Sequence, residues 1–187
     1  MELFAERGFA ETTVGDIEMA VGLQPRRGAL YRHFRSKEAL LQEVVDRQLE
    51  RIDRGLEDLD AAASAEPLDA VMALGRWFLA ELDAAAPLFR VLEQDGARLP
   101  AVRDTMRARV IDAGHQRVAD LIRARAGSGD VDADAIAALI IGPLANHRRT
   151  AWTFGTSPLG LDDERLLHAW RDALAALVNT TRVTSAR

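Results

Sequence analysis

Apolar positions recur at three- and four-residue intervals along most of this chain, the spacing of helices with one buried face. A short run from Leu3 to Arg7 is closed by Gly8, a residue suited to a left-handed helix end. Thr13 offers an N-cap, with Asp16 at the third helical position as an acidic variant of the capping box. Val14, Ile17 and Val21 form the stripe of that helix, and Gly22 stops it. Pro25 suits the first position of a further helix over about residues 26–34. Ser36 caps a long helix, with Glu38 where the dipole favours an acid. Its stripe is Leu40, Val44, Leu49, Ile52, Leu56 and Leu59. Pro67 reads as the start of one helix (Leu68, Val71, Leu74, Phe78, Leu82) and Pro87 as the start of another (Leu88, Val91, Leu92). The run from residue 101 to about 125 is periodic through Val102, Met106, Val110, Ile111, Val118, Leu121 and Ile122. Asp132 or Asp134 caps a helix reaching Phe154, with a kink at Gly142-Pro143. Asp162-Asp163 starts the last, whose stripe is Leu166, Leu167, Trp170, Leu174, Leu177 and Val178. The prediction is an all-α chain of about nine helices and no strand.

Composition agrees and narrows the function. The chain is Ala-rich, holds one Lys (Lys37) against 23 Arg, and is sparing with Val, Ile, Tyr and Phe; that balance favours helix. Cysteine is absent, which excludes disulfides, thiolate zinc sites and iron–sulfur clusters. No run approaches the roughly 18 apolar residues of a membrane span. The acidic, amphipathic start lacks the features of a signal peptide, so a cytoplasmic location is the default expectation. No glycine loop matches a phosphate or dinucleotide site, and no nucleophile elbow is present. His33, His115, His147 and His168 are scattered without metal-ligand spacing. Neither an enzyme, a cofactor nor a metal is expected.

The net charge of −5 excludes a uniformly basic DNA-coating protein, but not a local patch. Between residues 26 and 37 stand Arg26, Arg27, Arg32, Arg35 and Lys37, with no acid. Residues 1–54 carry a net −1 and residues 55–187 a net −4, so basic character is confined to one short stretch. A docking patch needs that arrangement: phosphates neutralised at the contact and repelled elsewhere. The stretch follows a capped helix and a glycine-containing turn, the pattern of a helix-turn-helix whose second helix enters the major groove.

The residues Leu3-Phe4-Ala5-Glu6-Arg7-Gly8-Phe9, Thr12-Thr13-Val14, Asp16-Ile17, Gly22-Leu23, Gly28-Ala29-Leu30-Tyr31-Arg32-His33-Phe34 and Ser36-Lys37-Glu38-Ala39-Leu40-Leu41 closely resemble the DNA-binding domain of the TetR family of bacterial transcriptional regulators. The resemblance covers roughly the first 50 residues. It implies that Thr12 and Thr13 meet phosphate at a helix start. It places Arg26, Arg27 and Ala29 toward the major groove, where Arg can bond guanine bidentately, and counts Gln24, Gly28 and Arg32 among the DNA-binding residues. Tyr31, His33 and Lys37 would hold the DNA backbone, while Leu30 and Phe34 pack inward. Family members usually have a longer first helix preceded by a polar arm, so this chain is expected to be truncated within that helix. The turn from Gly22 to Gly28 also reads longer than in many members.

The resemblance further implies a homodimeric repressor. Residues 1–54 would bind a double-stranded operator, and residues 55–187 would bind a small hydrophobic effector and dimerise through the last two helices. Trp77, Phe78, Met106, His115, His147 and Trp152 are the candidate pocket residues, as apolar bulk with a few polar groups suits such a ligand. The alternative is an effector-binding helical dimer that has lost DNA binding with part of its first helix.

Overall fold

The computed structural model describes residues 1–24, 30–62, 67–126 and 131–184. Among these, eight α-helices and no strand are found. They are α1 (Glu2–Arg7), α2 (Val14–Ala20), α3 (Lys37–Ala62), α4 (Pro67–Asp95), α5 (Pro100–Met106), α6 (Ala113–Ala126), α7 (Ala133–Phe154) and α8 (Asp163–Thr184). The all-α expectation holds, but the count differs for three reasons. Pro87 does not open a helix; it lies inside α4. Its missing N–H deprives only the carbonyl of Asp83, four residues back on an exposed position. The run expected as one helix after residue 100 is divided into α5 and α6 by a π-helical turn, Arg107–Asp112. The helix expected over residues 26–34 shows, in its described part, a single 3-10 turn, Leu30–Arg32.

The local signals behave as their chemistry requires. Thr13 Oγ1 accepts from the Asp16 N–H at 3.2 Å, and the Asp16 carboxylate accepts from the Thr13 N–H at 2.8 Å, completing the capping box. Ser36 Oγ accepts from the Ala39 N–H at 3.1 Å ahead of α3. Asp132 and Asp162 cap α7 and α8 in the same way, at 3.0 and 2.8 Å. Gly8 (φ 85°) and Gly22 (φ 74°) take the positive φ that ends α1 and α2.

The chain forms two compact units. The first comprises Met1–Asp53 and Ala84–Ala108, the second Arg54–Asp83 and Arg109–Arg187. Unit 1 buries Phe4, Phe9, Leu30, Leu41, Val45 and Leu49, together with Leu88, Val91, Leu99, Val102 and Met106. On α3 the deepest row is thus Leu41, Val45, Leu49, one position on from the predicted Leu40 and Val44, which are half-buried.

Unit 2 is organised by one apolar cluster of Met72, Leu79, Ala119, Ile122, Ala133, Ala137, Ile140, Leu144, Leu167 and Trp170. Gly75 is needed where α4 meets α8: a Cβ there would stand 2.6 Å from Leu167 Cδ2 and 3.1 Å from the Trp170 ring. The Trp170 indole N–H donates to the Ile140 carbonyl at 2.8 Å.

Candidate DNA-binding site

The two short helices of unit 1 are held by buried polar side chains rather than by their own length. Six or seven residues make too little helix to persist alone. Thr12 is fully buried, and its hydroxyl contacts the Gly8 carbonyl at 2.7 Å and the Leu3 carbonyl at 3.2 Å. Glu18 is 1% exposed. Its main-chain carbonyl accepts from the Leu23 N–H at 2.8 Å, and its carboxylate accepts from the Leu30 N–H at 3.2 Å. Asp95, at the end of α4, accepts the Phe9 N–H at 2.7 Å in a buried bond. The Lys37 ammonium donates to the carbonyls of Phe9, Ala10 and Thr12 and lies 4.4 Å from the centroid of the Phe9 ring.

Two expected DNA contacts are therefore corrected. Thr12 cannot present its side chain to a phosphate, because the hydroxyl is buried and engaged with main-chain carbonyls. Lys37 has its three donors directed at three carbonyls of the α1–α2 corner, which leaves none for the DNA backbone. Thr13 is exposed, with its hydroxyl 2.5 Å from the Asp16 carboxylate. That carboxylate is held below the usual carboxylate range, first by the Thr13 hydroxyl, then by the Thr13 N–H, with Arg7 adding its charge and burial opposing.

The other positions on this face are open. Gln24, Tyr31, Arg32, His33 and Arg35 are all exposed, Tyr31 by 58% despite its size. Leu30 is buried and Phe34 half-buried, so one turn sends apolar groups inward and polar groups outward, as expected. Arg26, Arg27, Gly28 and Ala29 lie outside the described residues. Glu18 and Asp95 were not singled out from the sequence. The available signal for Glu18 is an acid adjoining Ile17 on the face that carries Val14 and Val21.

The candidate effector residues fall in both units. Met106 is buried in unit 1, whereas the other five belong to unit 2. There Phe78 packs against the apolar cluster and Trp77 lies against Gly55. Trp152 donates its indole N–H to Asp83 at 3.1 Å, and His115 Nδ1 sits 2.7 Å from the Ile111 carbonyl. His147 is 4% exposed with Nε2 3.3 Å from Asp163. An open cavity of about 660 Å³ is lined by His147, Arg148, Ser157, Asp163 and Glu164, among others, and of the six candidates it takes in only His147. Its lining mixes charged side chains with Ala151, Gly155 and Leu161. Arg148 fills it with ionic pairing: a bidentate bridge to Asp163 at 2.7 and 2.6 Å, and Nε 3.2 Å from Asp83 without hydrogen-bond geometry. Among the described residues no group of acids and histidines could hold a metal, and no helix is long and apolar enough to cross a membrane.

Comparison with known proteins converges on the same segment. Residues 1–44 match the family model of the bacterial regulatory proteins of the tetR family. The HTH-type transcriptional repressor KstR2 of Rhodococcus jostii is 51% identical over 43 residues, covering 23% of this chain and 20% of that protein. KstR2 of Mycolicibacterium smegmatis is 39% identical over 83 residues, covering 44% of this chain and 37% of that one. The chain thus matches well under half the length of these relatives. A solved gamma-butyrolactone receptor (ArpA-like protein) shares the fold, with a TM-score of 0.53 over 96% of this chain and 92% of that chain, at 24% identity. The resemblance to the TetR family is carried by sequence over residues 1–44, and nearly the whole chain shares the fold of that receptor.

Proposed function

We propose that this chain is a DNA-binding transcriptional repressor of TetR type, acting as a homodimer and released from its operator by a small molecule. The observation that carries the reading is the turn at residues 30–36. It turns Tyr31, Arg32, His33 and Arg35 to solvent with no acid among them, immediately after the segment bearing Arg26 and Arg27. In this reading Gln24, Arg26, Arg27, Gly28 and Ala29 face bases, and Thr13, Tyr31, Arg32 and His33 contact the backbone. DNA binding is assigned to residues 1–54, and effector binding and dimerisation to residues 55–187.

A palindromic operator needs two reading elements about 34–36 Å apart, which one chain cannot supply. Leu167 and Trp170 of the last helix are buried within unit 2, whereas Leu139 and Phe154 on α7 and Leu177 on α8 are exposed apolar residues that a second copy would cover. Effector release requires a ligand that favours the conformer with mismatched spacing; equal affinity for both conformers shifts nothing.

The test is fluorescence anisotropy on duplex DNA from upstream of the protein's own gene, titrated with salt. Competitor-resistant binding that weakens steeply with salt, and is lost in Arg26→Ala/Arg27→Ala, is the expected result. Absence of specific binding at low salt would favour a helical dimer that senses a ligand without DNA.

A further inference from the structure

Phe9 is gripped from two sides by opposite charges. Its N–H donates to Asp95 Oδ2 at 2.7 Å, and its carbonyl accepts from Lys37 Nζ. The same ammonium reaches the Thr12 carbonyl at 2.8 Å and the Ala10 carbonyl at 3.3 Å. Its position 4.4 Å from the Phe9 ring centroid adds a cation–π contact. The Phe9 ring in turn lies 5.2 Å from that of Phe4 on α1. Asp95 is 8% exposed, with Arg98 3.7 Å away as its ionic neighbour. Gly8 beside it holds φ 85°, a conformation that side-chain-bearing residues rarely adopt. Lys37 is the first residue of α3 and Asp95 the last of α4. The corner between α1 and α2 is therefore pinned by the ends of two other helices.

We infer that Lys37 and Asp95 are positioning residues for DNA binding, acting through Phe9 to set the direction in which α2 and the following turn leave that corner. The inference rests on the DNA-binding reading and adds roles which that reading does not contain. Lys37 is not a phosphate contact here: turning its ammonium to DNA would strip three main-chain carbonyls of their shared donor. Asp95 is more than a surface acid, because without it a buried N–H has no acceptor.

The experiment measures Lys37→Met, Asp95→Ala, Asp95→Asn and the Lys37→Met/Asp95→Ala double variant against wild type. Each is titrated on the duplex that wild type binds and on a random-sequence duplex, over a range of salt, with a thermal melt alongside. Each loss variant is expected to weaken specific binding roughly tenfold, to keep the salt slope, and to leave random-duplex affinity within about twofold. The double variant loses little more than the worse single one, since both act through one residue. Asp95→Asn keeps an acceptor oxygen and restores most of the affinity. A salt slope shallower by about one in Lys37→Met, with equal weakening on random DNA, would make Lys37 a phosphate contact and overturn the inference. A lowered melting temperature with unchanged affinity in the folded fraction would overturn it as well. If wild type binds no duplex, the DNA reading fails by itself. Amide hydrogen exchange at Phe9 then judges the grip: protection lost in both single variants upholds it, and unchanged protection rejects it.

Discussion

The two units bury their polar groups differently. Unit 1 encloses the side chains of Thr12, Glu18 and Asp95, and each ties down a main-chain group of a turn. Unit 2 has a continuous apolar cluster with, among the described residues, one buried polar side chain, His147, facing Asp163 beside an open cavity. The difference follows from helix length. Helices of 22 residues such as α7 and α8 can be aligned by their apolar faces alone. Helices of six and seven residues cannot, so their turns are fixed by specific hydrogen bonds, which are directional where apolar burial is not. A unit that matches a DNA groove, as proposed for unit 1, would gain from that directionality. A unit that holds its shape by packing loses most when a large side chain is removed.

The sharpest way to break this contrast is to truncate each kind of interior. Leu144→Ala in unit 2 removes a side chain that is 2% exposed within the cluster, and it should cost about 2–5 kcal/mol. Urea denaturation measures it; a loss below about 1 kcal/mol would mean the cluster collapses freely around the void. Glu18→Ala in unit 1 should cost less, about 1–3 kcal/mol for leaving the Leu30 N–H without its carboxylate. It should nonetheless abolish specific DNA binding, because the side-chain link from α2 to the Leu30–Arg32 turn is lost. Retained binding in the folded variant would show that packing alone fixes that turn. Thr13→Ala removes the N-cap of α2 and should cost about 0.5–2 kcal/mol. Thr13→Ser, which keeps the capping oxygen, should recover most of it in the same denaturation experiment.

Much of the fold was legible because caps and glycines act locally. Thr13 with Asp16, Ser36, Asp132, Asp162, Gly8 and Gly22 each ended or began a helix through atoms within a few residues. Three features were not legible from the local pattern. The buried row of α3 fell on Leu41 and Val45 rather than Leu40 and Val44, because both rows are apolar and only the partner surface decides between them. Pro87 was read as a helix start, a role equally open to a proline inside a helix whose neighbours pack it. The inward roles of Thr12 and Lys37 were hidden because a threonine and a lysine near a helix start look alike whether they face a phosphate or a carbonyl. Their partners, Gly8, Leu3, Phe9 and Ala10, identify themselves only once the chain has turned.

The smallest expected effect probes the polar margin of unit 2. The Arg148 guanidinium bonds both oxygens of Asp163, and His147 approaches the same carboxyl. Asp163 is accordingly held below the usual carboxylate range, first by the Arg148 hydrogen bonds, with burial opposing and the Arg148 charge and His147 assisting. A carboxyl lowered in the folded state binds its proton more readily in the unfolded chain, whose value is about 3.9. Its contribution to stability is therefore complete above that value and is lost as the pH falls through the lower folded value. The carboxylate is 43% exposed, so solvent screening keeps the contribution small. Asp16, Glu38 and Glu164 are lowered too and supply a shared acid sensitivity, so the informative quantity is a difference between variants. Below pH about 4, the urea midpoint of wild type should fall more steeply than that of Asp163→Asn, and Arg148→Met should flatten the curve to match the asparagine variant. Parallel curves for all three would mean that water replaces this bridge without loss, and that unit 2 owes its stability to the apolar cluster alone.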